Sequence, residues 1–252
     1  MLELNIDYIK GVNFALTNNA IETCQSITLK NTGSDLHNVC VECCGEFFSN
    51  TRSAVIPLLA QNKELRLSNF SIKPDNQKMT MLTESIATTF TIKVWTDFAD
   101  EANKHEVFSQ EYDIKLHAYD QWLGTSILPQ SLSSFVTPNH PAISKVVVEA
   151  ANHLKQMTGN SGFCEYQTHN PNDVLMQVAA IYAALHQQGI IYRALPASFE
   201  TVGQRITMPD QVLEEKLGNC IELTILFASV LEAVGINSGI IIQQGHAFLA
   251  VW

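Results

Sequence analysis

Two residues near the C-terminal end have types and surroundings suited to nucleophilic chemistry. Cys220 follows Gly218-Asn219 and opens an apolar stretch in which Leu223, Leu226, Phe227, Val230 and Leu231 recur at helical spacing. A thiol at a helix start faces exposed backbone N–H groups and the positive end of the helix dipole. Both favour the thiolate, which is the working nucleophile. Gly218 leaves room for a substrate backbone to approach. His246 lies 26 residues further on, between Gly245 and Ala247, where an apolar run of strand character begins. An imidazole there can take the thiol proton and return it to a leaving amine. Acyl transfer is thereby split into thioester formation and resolution. The oxyanion that develops needs donors: the backbone N–H of Cys220 is one, and Gln204 upstream supplies a candidate second.

The elements that must position this pair are helices followed by strands. Pro141 suits the first turn of a helix. Ile143, Val146, Val147, Ala150, Ala151 and Leu154 then recur at helical spacing up to Gly159. A second helix is predicted from about Asn172 to Gln188, and Ile190-Ile191-Tyr192 reads as a short extended piece. A third helix starts at Pro209 and is broken by Gly218. The fourth opens at Asn219 or Cys220 and ends at Gly235. Gly239–Ile242 and Ala247–Trp252 read as strands joined by a turn at Gln243-Gln244-Gly245.

The first half reads as β. Gln25–Lys30 alternates and ends in Asn31-Thr32-Gly33; Val39, Val41 and Cys43 alternate again; Leu65, Leu67, Phe70 and Ile72 mark a third region. The clearest strand is Thr89–Thr96, with Phe90, Ile92 and Val94 on one side, and Tyr112–Leu116 follows. Several short strands separated by turns predict an immunoglobulin-like β-sandwich. The expected fold is therefore α+β. Residues 1–120 would form the sandwich, 121–141 a Ser/Pro-rich linker, and 142–252 a helical core closed by strands.

Leu217-Gly218-Asn219-Cys220-Ile221-Glu222-Leu223, Ala233-Val234-Gly235-Ile236 and Gly245-His246-Ala247-Phe248 together resemble the core of the transglutaminase-like (papain-like) superfamily. In that superfamily a Gly-x-Cys opens the helix, Gly-Ile closes it, and the His lies on a following strand. The resemblance covers roughly residues 140 to 252. It implies Cys220 as nucleophile, His246 as base and a peptide or protein substrate. The family's third member, an Asp that orients the His, is expected on a strand beyond Trp252, so the domain is expected to be truncated at its C-terminal end. A longer match joins Asn13-Phe14-Ala15-Leu16, Leu82-Thr83-Glu84, Tyr119-Asp120-Gln121-Trp122, Phe135–Pro141, Pro196-Ala197-Ser198-Phe199-Glu200 and Gly245–Phe248. These resemble the N-terminal region of very large bacterial helicase-like ATPases, some of which end in a Vsr-like endonuclease. That resemblance implies a role in DNA transactions or defence, with ATPase or nuclease domains downstream. This stretch has no Walker-type Gly-x-x-x-x-Gly-Lys-Ser/Thr of its own.

Composition narrows the rest. A formal net charge of −10 argues against direct nucleic-acid binding by these residues. No apolar run approaches the roughly 20 residues of a membrane span, and the N-terminus lacks a basic, apolar leader pattern, so a cytoplasmic location and no membrane partner are expected. Cys40, Cys43 and Cys44 cluster, but no second ligand pair accompanies them. They are read as thiols in a β core, with Cys40 and Cys43 facing apart. No metal or cofactor is expected. Two functions stay open: a peptidase or acyl transferase, distinguished by whether water or an amine resolves the thioester, and a catalytically inactive interaction module.

Overall fold

A computed structural model describes residues 1–19, 21–100, 102–126, 128–195 and 199–252. Of the Pro196–Glu200 motif, Pro196, Ala197 and Ser198 lie outside the described residues. The chain divides into two compact units, Met1–Tyr119 and Asp120–Trp252.

The first unit is mostly β. Its strands are β1 Leu2–Tyr8, β2 Gly11–Val12, β3 Cys24–Asn31, β4 Leu36–Gly45, β5 Phe48–Arg52, β6 Ile56–Leu59, β7 Glu64–Leu67, β8 Lys73–Pro74, β9 Ile86–Thr96 and β10 His105–Leu116. Two single-turn helices, α1 Phe14–Asn18 and α2 Asn76–Thr80, interrupt them. One sheet has the order β1-β3-β7; the other runs β2-β10-β9-β4-β5-β8, with β6 attached to β4. Alternation explains the register. Val41 pairs with Val94 and Cys43 with Ile92 across β4 and β9, and Tyr112 opposes Phe90 across β10 and β9. Phe90, Ile92, Val94, Val39, Val41 and Cys43 share one apolar core with Ile27 and Leu29 of the other sheet. Each such side chain contributes roughly 1.5–3 kcal/mol on burial. Cys43 sits in this core, and burial pushes its thiol up to about 12. Cys24 is raised to about 11, again mainly by burial. Cys40 faces the other way, toward the Ser53 hydroxyl at 4.0 Å.

The second unit is mixed α and β. It comprises β11 Gln121–Trp122, a 3-10 helix Pro129–Phe135, α3 Pro141–Thr158, α4 Pro171–Gln187, β12 Ile191–Tyr192, α5 Phe199–Val202, β13 Gln204–Arg205, α6 Pro209–Glu215, β14 Leu217–Gly218, α7 Cys220–Ala233, β15 Ser238–Gln243 and β16 His246–Val251. The ends follow local chemistry. The His140 Nδ1 accepts from the Ala142 N–H at 3.3 Å, Pro141 stands at the first helical position, and Gly159 ends α3 with φ 81°. Asn170 caps α4 in the same manner, ahead of Pro171. α7 is the apolar centre of the unit. Its Leu226, Val230 and Leu231 pack with Ile143, Val146 and Ala150 of α3, Ile181 and Ala184 of α4, and Val212 of α6. β15 and β16 form an antiparallel hairpin closed by Gln244-Gly245, with Gly245 at φ 71°.

Residues 121–141, expected to be a linker, are instead built into this unit. Trp122 is fully buried and pairs with Gln204, and Leu132 and Phe135 of the 3-10 helix are buried too. The Ser and Pro content that suggests a linker sits on the turns between these anchors.

Candidate active site

The start of α7 is densely hydrogen-bonded. Asn219 is its N-cap, and its side-chain oxygen accepts from the N–H groups of Ile221 and Glu222, both at 3.1 Å. The Leu223 N–H bonds to the Asn219 carbonyl at 2.9 Å. Of the first-turn donors, the cap therefore leaves the N–H of Cys220 itself. In return, the Glu222 carboxylate accepts from the Asn219 N–H at 2.9 Å, which completes a capping box.

Glu222 does more than cap. Its side chain has no solvent exposure. One oxygen also accepts from the Thr207 N–H at 2.9 Å, and Arg193 Nη2 donates to both oxygens at 2.9 and 3.0 Å. Three segments thus meet on one carboxylate: the helix start, the strand after Tyr192 and the stretch after Gln204. Such a joint fixes their mutual placement through charge-assisted bonds.

β12 lies beside the helix start through a parallel pairing with β14, in which Tyr192 stands opposite Gly218. The Ile191 N–H bonds to the Lys216 carbonyl and the Arg193 N–H to the Gly218 carbonyl, both at 2.8 Å. The Tyr192 pKa is raised, first by desolvation and then by the neighbouring Cys220. Cys220 is only 4% exposed, whereas Tyr192 is 55% exposed.

Gln204 reaches the same neighbourhood along β13. β13 pairs with β11, the Ile206 N–H bonds to the Asp120 carbonyl at 2.8 Å, and Arg205 Nε donates to Asp120 at 3.1 Å. Gly203, at φ 74°, makes the turn into this strand; a Cβ there would stand 2.3 Å from the Trp122 carbonyl oxygen. Gln204 lines a cavity of about 270 Å³ together with Arg193, Phe199, Val202 and Asn219. Both atoms of its side-chain amide are buried without a hydrogen-bond partner among the described residues. An unmet buried polar group costs about 1–3 kcal/mol, so this amide is held at the cavity against its own hydration.

His246 opens β16. A 14-residue helix is about 21 Å long and the six residues of β15 span about 20 Å, so the hairpin turn lies at the Cys220 end of α7. Ala247, Leu249 and Val251 face the apolar core. By the alternation of a strand, His246 and Phe248 take the other face, with their rings stacked at 6.2 Å. The imidazole is exposed, and no hydrogen bond joins it to Cys220. The structure therefore gathers Cys220 and Gln204 about the helix start and leaves His246 at the same end of the unit, with no hydrogen bond to the thiol.

Sequence reasoning missed Tyr192 and Arg193 as parts of this site. Their place depends on a parallel pairing across 26 residues, which no local pattern announces. Glu222 carries a readable signal, the Asn-x-x-Glu of a capping box, but not its bond to Arg193. No group of three or more His, Cys, Asp or Glu side chains able to hold a metal occurs among the described residues, and no helix there is long and apolar enough to cross a membrane.

Residues 161–249 match the model of the transglutaminase-like superfamily. No curated protein matches the chain. The matched span contains Gln204, Cys220 and His246, and the second unit is a mixed α and β structure consistent with a transglutaminase-like domain.

Proposed function

We propose that the second unit performs thiol-dependent acyl transfer on an amide of a peptide or protein. Cys220 Sγ attacks the carbonyl carbon, and His246 takes the thiol proton. The C–N bond then breaks, with the same proton passing to the departing amine. Water or a second amine resolves the thioester, giving a peptidase or a transferase. The Cys220 N–H and the Gln204 amide N–H hold the oxyanion. The observation that carries this reading is the one N–H the cap leaves unused: it belongs to the candidate nucleophile, and the adjoining Asn219 shares a cavity with an amide that is buried without a partner among the described residues. The match over residues 161–249 supports it. The step requires the His246 ring to close on the sulfur, and no hydrogen bond among the described residues holds it elsewhere.

A second reading follows from the burial of Cys220 and its separation from His246: a silent transglutaminase-like module that binds a partner. In either reading the first unit is an immunoglobulin-like sandwich, and the chain belongs to the N-terminal part of a cytoplasmic, bacterial, helicase-like protein engaged in DNA transactions or defence. Two probes separate the readings. Iodoacetamide alkylates a thiolate with no oxyanion, whereas p-nitrophenyl acetate acylates it through one. An enzyme gives Cys220 rates above those of Cys24 and Cys43 with both reagents at neutral pH, and His246→Ala lowers both. Cys220 rates as slow as those of the core thiols leave the module reading.

A further inference from the structure

We propose that the free edge of β15 docks an extended segment of a partner polypeptide, which adds a third strand to the β15–β16 sheet. This goes beyond the acyl-transfer reading and does not depend on it. The direction of the backbone groups follows from the turn. β15 and β16 pair in unbroken register from Gln243 and His246 to Ser238 and Val251. Across the two-residue turn Gln244-Gly245, Gln243 and His246 form the closing hydrogen-bonded pair. Such pairs recur at every second residue, so Gly239, Ile241 and Gln243 direct their N–H and C=O groups at β16. Ser238, Ile240 and Ile242 direct theirs away from it. Ser238 agrees: its N–H donates to Glu232 Oε1 of α7 at 3.2 Å, off the ladder. Among the described residues no backbone group meets Ile240 or Ile242 on that side. Proteins ordinarily blunt an edge of this kind with a charge, a proline or a bulge. Ser238–Gln243 has none of these.

The surroundings of the edge set what it takes. Ile240 and Ile242 share a groove of about 450 Å³ with Ala228 of α7 and with Leu132 and Val136, in and just after the 3-10 helix. Residues opposite one another in a ladder project to the same face. A strand running antiparallel to β15 therefore sends the side chains opposite Ile242 and Ile240 into this apolar groove. Its next same-face residue stands opposite Ser238, beside Glu232, the one charged side chain among the described residues that line the groove. The segment that fits is apolar-x-apolar-x-basic, read from the turn end of β15. Residues 129–138 bound the groove as well. A single strand at the usual spacing of about 4.8 Å fits there, whereas the whole sheet of a second copy would meet the 3-10 helix. Main-chain bonds to Ile240 and Ile242 supply the pairing, and the groove and Glu232 select the side chains.

Amide hydrogen exchange, read by NMR on the isotope-labelled whole chain, tests this with the peptide acetyl-Thr-Val-Thr-Val-Thr-Lys-Thr-amide as probe. In the free protein the Ile240 and Ile242 amides should exchange about tenfold or more faster than those of Ile241 and Gln243. Peptide at up to about 1 mM should slow Ile240 and Ile242 about tenfold and leave Ala247 and Leu249, on the far edge of β16, unchanged. The same peptide N-methylated at both valines lacks the pairing N–H groups and should have no effect. Glu232→Gln keeps an acceptor for Ser238 and should weaken the lysine peptide about 2- to 5-fold, the weight of an exposed ion pair. It should not weaken a peptide with glutamine in place of the lysine. Slow exchange at Ile240 and Ile242 in the free chain overturns the proposal, because the edge is then already covered. If that protection rises with protein concentration and sedimentation gives a doubled mass, the occupant is a second copy. No slowing with the peptide, or equal slowing with its N-methylated form, overturns it too. An unchanged affinity for the lysine peptide in Glu232→Gln overturns the basic position.

Discussion

Replacing Glu222 by alanine should destabilise the second unit far more than a surface change. The carboxylate is wholly buried and accepts from Arg193 Nη2 with both oxygens and from the N–H groups of Thr207 and Asn219. Alanine leaves two backbone N–H groups without an acceptor, at about 1–3 kcal/mol each. Arg193 is 46% exposed, so its guanidinium rehydrates and its share is discounted to well under the value of a buried pair. The total comes to about 3–5 kcal/mol, in the range for breaking a buried pair by removing one partner. In a unit of about 130 residues this lowers the melting temperature by roughly 10–15 °C. Differential scanning calorimetry and urea unfolding of the whole chain measure it, and the transition of the first unit serves as an internal control. Glu222→Gln keeps the shape but turns an NH2 group toward one of the donors, and should cost about half as much. A loss below about 1 kcal/mol in Glu222→Ala, the worth of an exposed ion pair, would refute the claim that this carboxylate joins three segments.

Three further outcomes follow. Burial first and Lys115 second hold the His117 pKa down to about 4, so the imidazole is neutral when folded and takes up a proton on unfolding below about 6.5. Its contribution to stability is therefore lost as pH falls from about 6.5 to 4, by about 1–2 kcal/mol after discounting for a half-buried ring; urea midpoints of wild type and His117→Gln at pH 7 and 4.5 should converge as pH falls. Gly203→Ala places a Cβ 2.3 Å from the Trp122 carbonyl at φ 74°, and should cost about 1–3 kcal/mol or more by urea unfolding; a neutral result would show that β11 and β13 yield freely. Gln204→Leu should leave stability unchanged or raise it, leave iodoacetamide alkylation of Cys220 unchanged, and slow acylation by p-nitrophenyl acetate about 100-fold, because only the acylation develops an oxyanion.

Much of the second unit is legible from residue order because its helices carry their own punctuation. Pro141 and Gly159 bound α3, the expected start at about Asn172 falls one residue inside α4, and Asn219 followed by the Leu223–Leu231 periodicity places the start of α7 at Cys220. The strand holding Phe90, Ile92 and Val94 is equally plain, since one face is fully buried and alternation is strict. Other elements escape for physical reasons. β1 is partly exposed on both faces, so Leu2, Leu4, Ile6 and Tyr8 signal only half a core. β6 contains Pro57, which suits an edge and suppresses a strand reading. Residues 121–141 read as a linker because short anchors such as Trp122 and Phe135 are separated by turn residues. Tyr192 is the deepest omission. An exposed tyrosine in a two-residue strand has no pattern of its own, and its place beside the helix start arises from long-range pairing with Gly218.

The polar groups about the start of α7 fall into two kinds, and the difference locates the chemistry. Asn219, Glu222, Arg193 and Thr207 satisfy one another completely, as expected of groups whose task is to hold a shape. Gln204 is buried with no hydrogen-bond partner among the described residues, and the cap leaves the Cys220 N–H unused. A fold that minimised its own free energy would place leucine at 204 and let the cap take the last donor. Keeping an amide dry and a helix N–H uncapped is a standing cost of a few kcal/mol that folding alone does not repay. An arriving carbonyl oxygen repays it by bonding to both donors at once. If Gln204→Leu is thermally neutral or stabilising, yet slows acylation of Cys220 by p-nitrophenyl acetate, that cost is one the protein bears for catalysis.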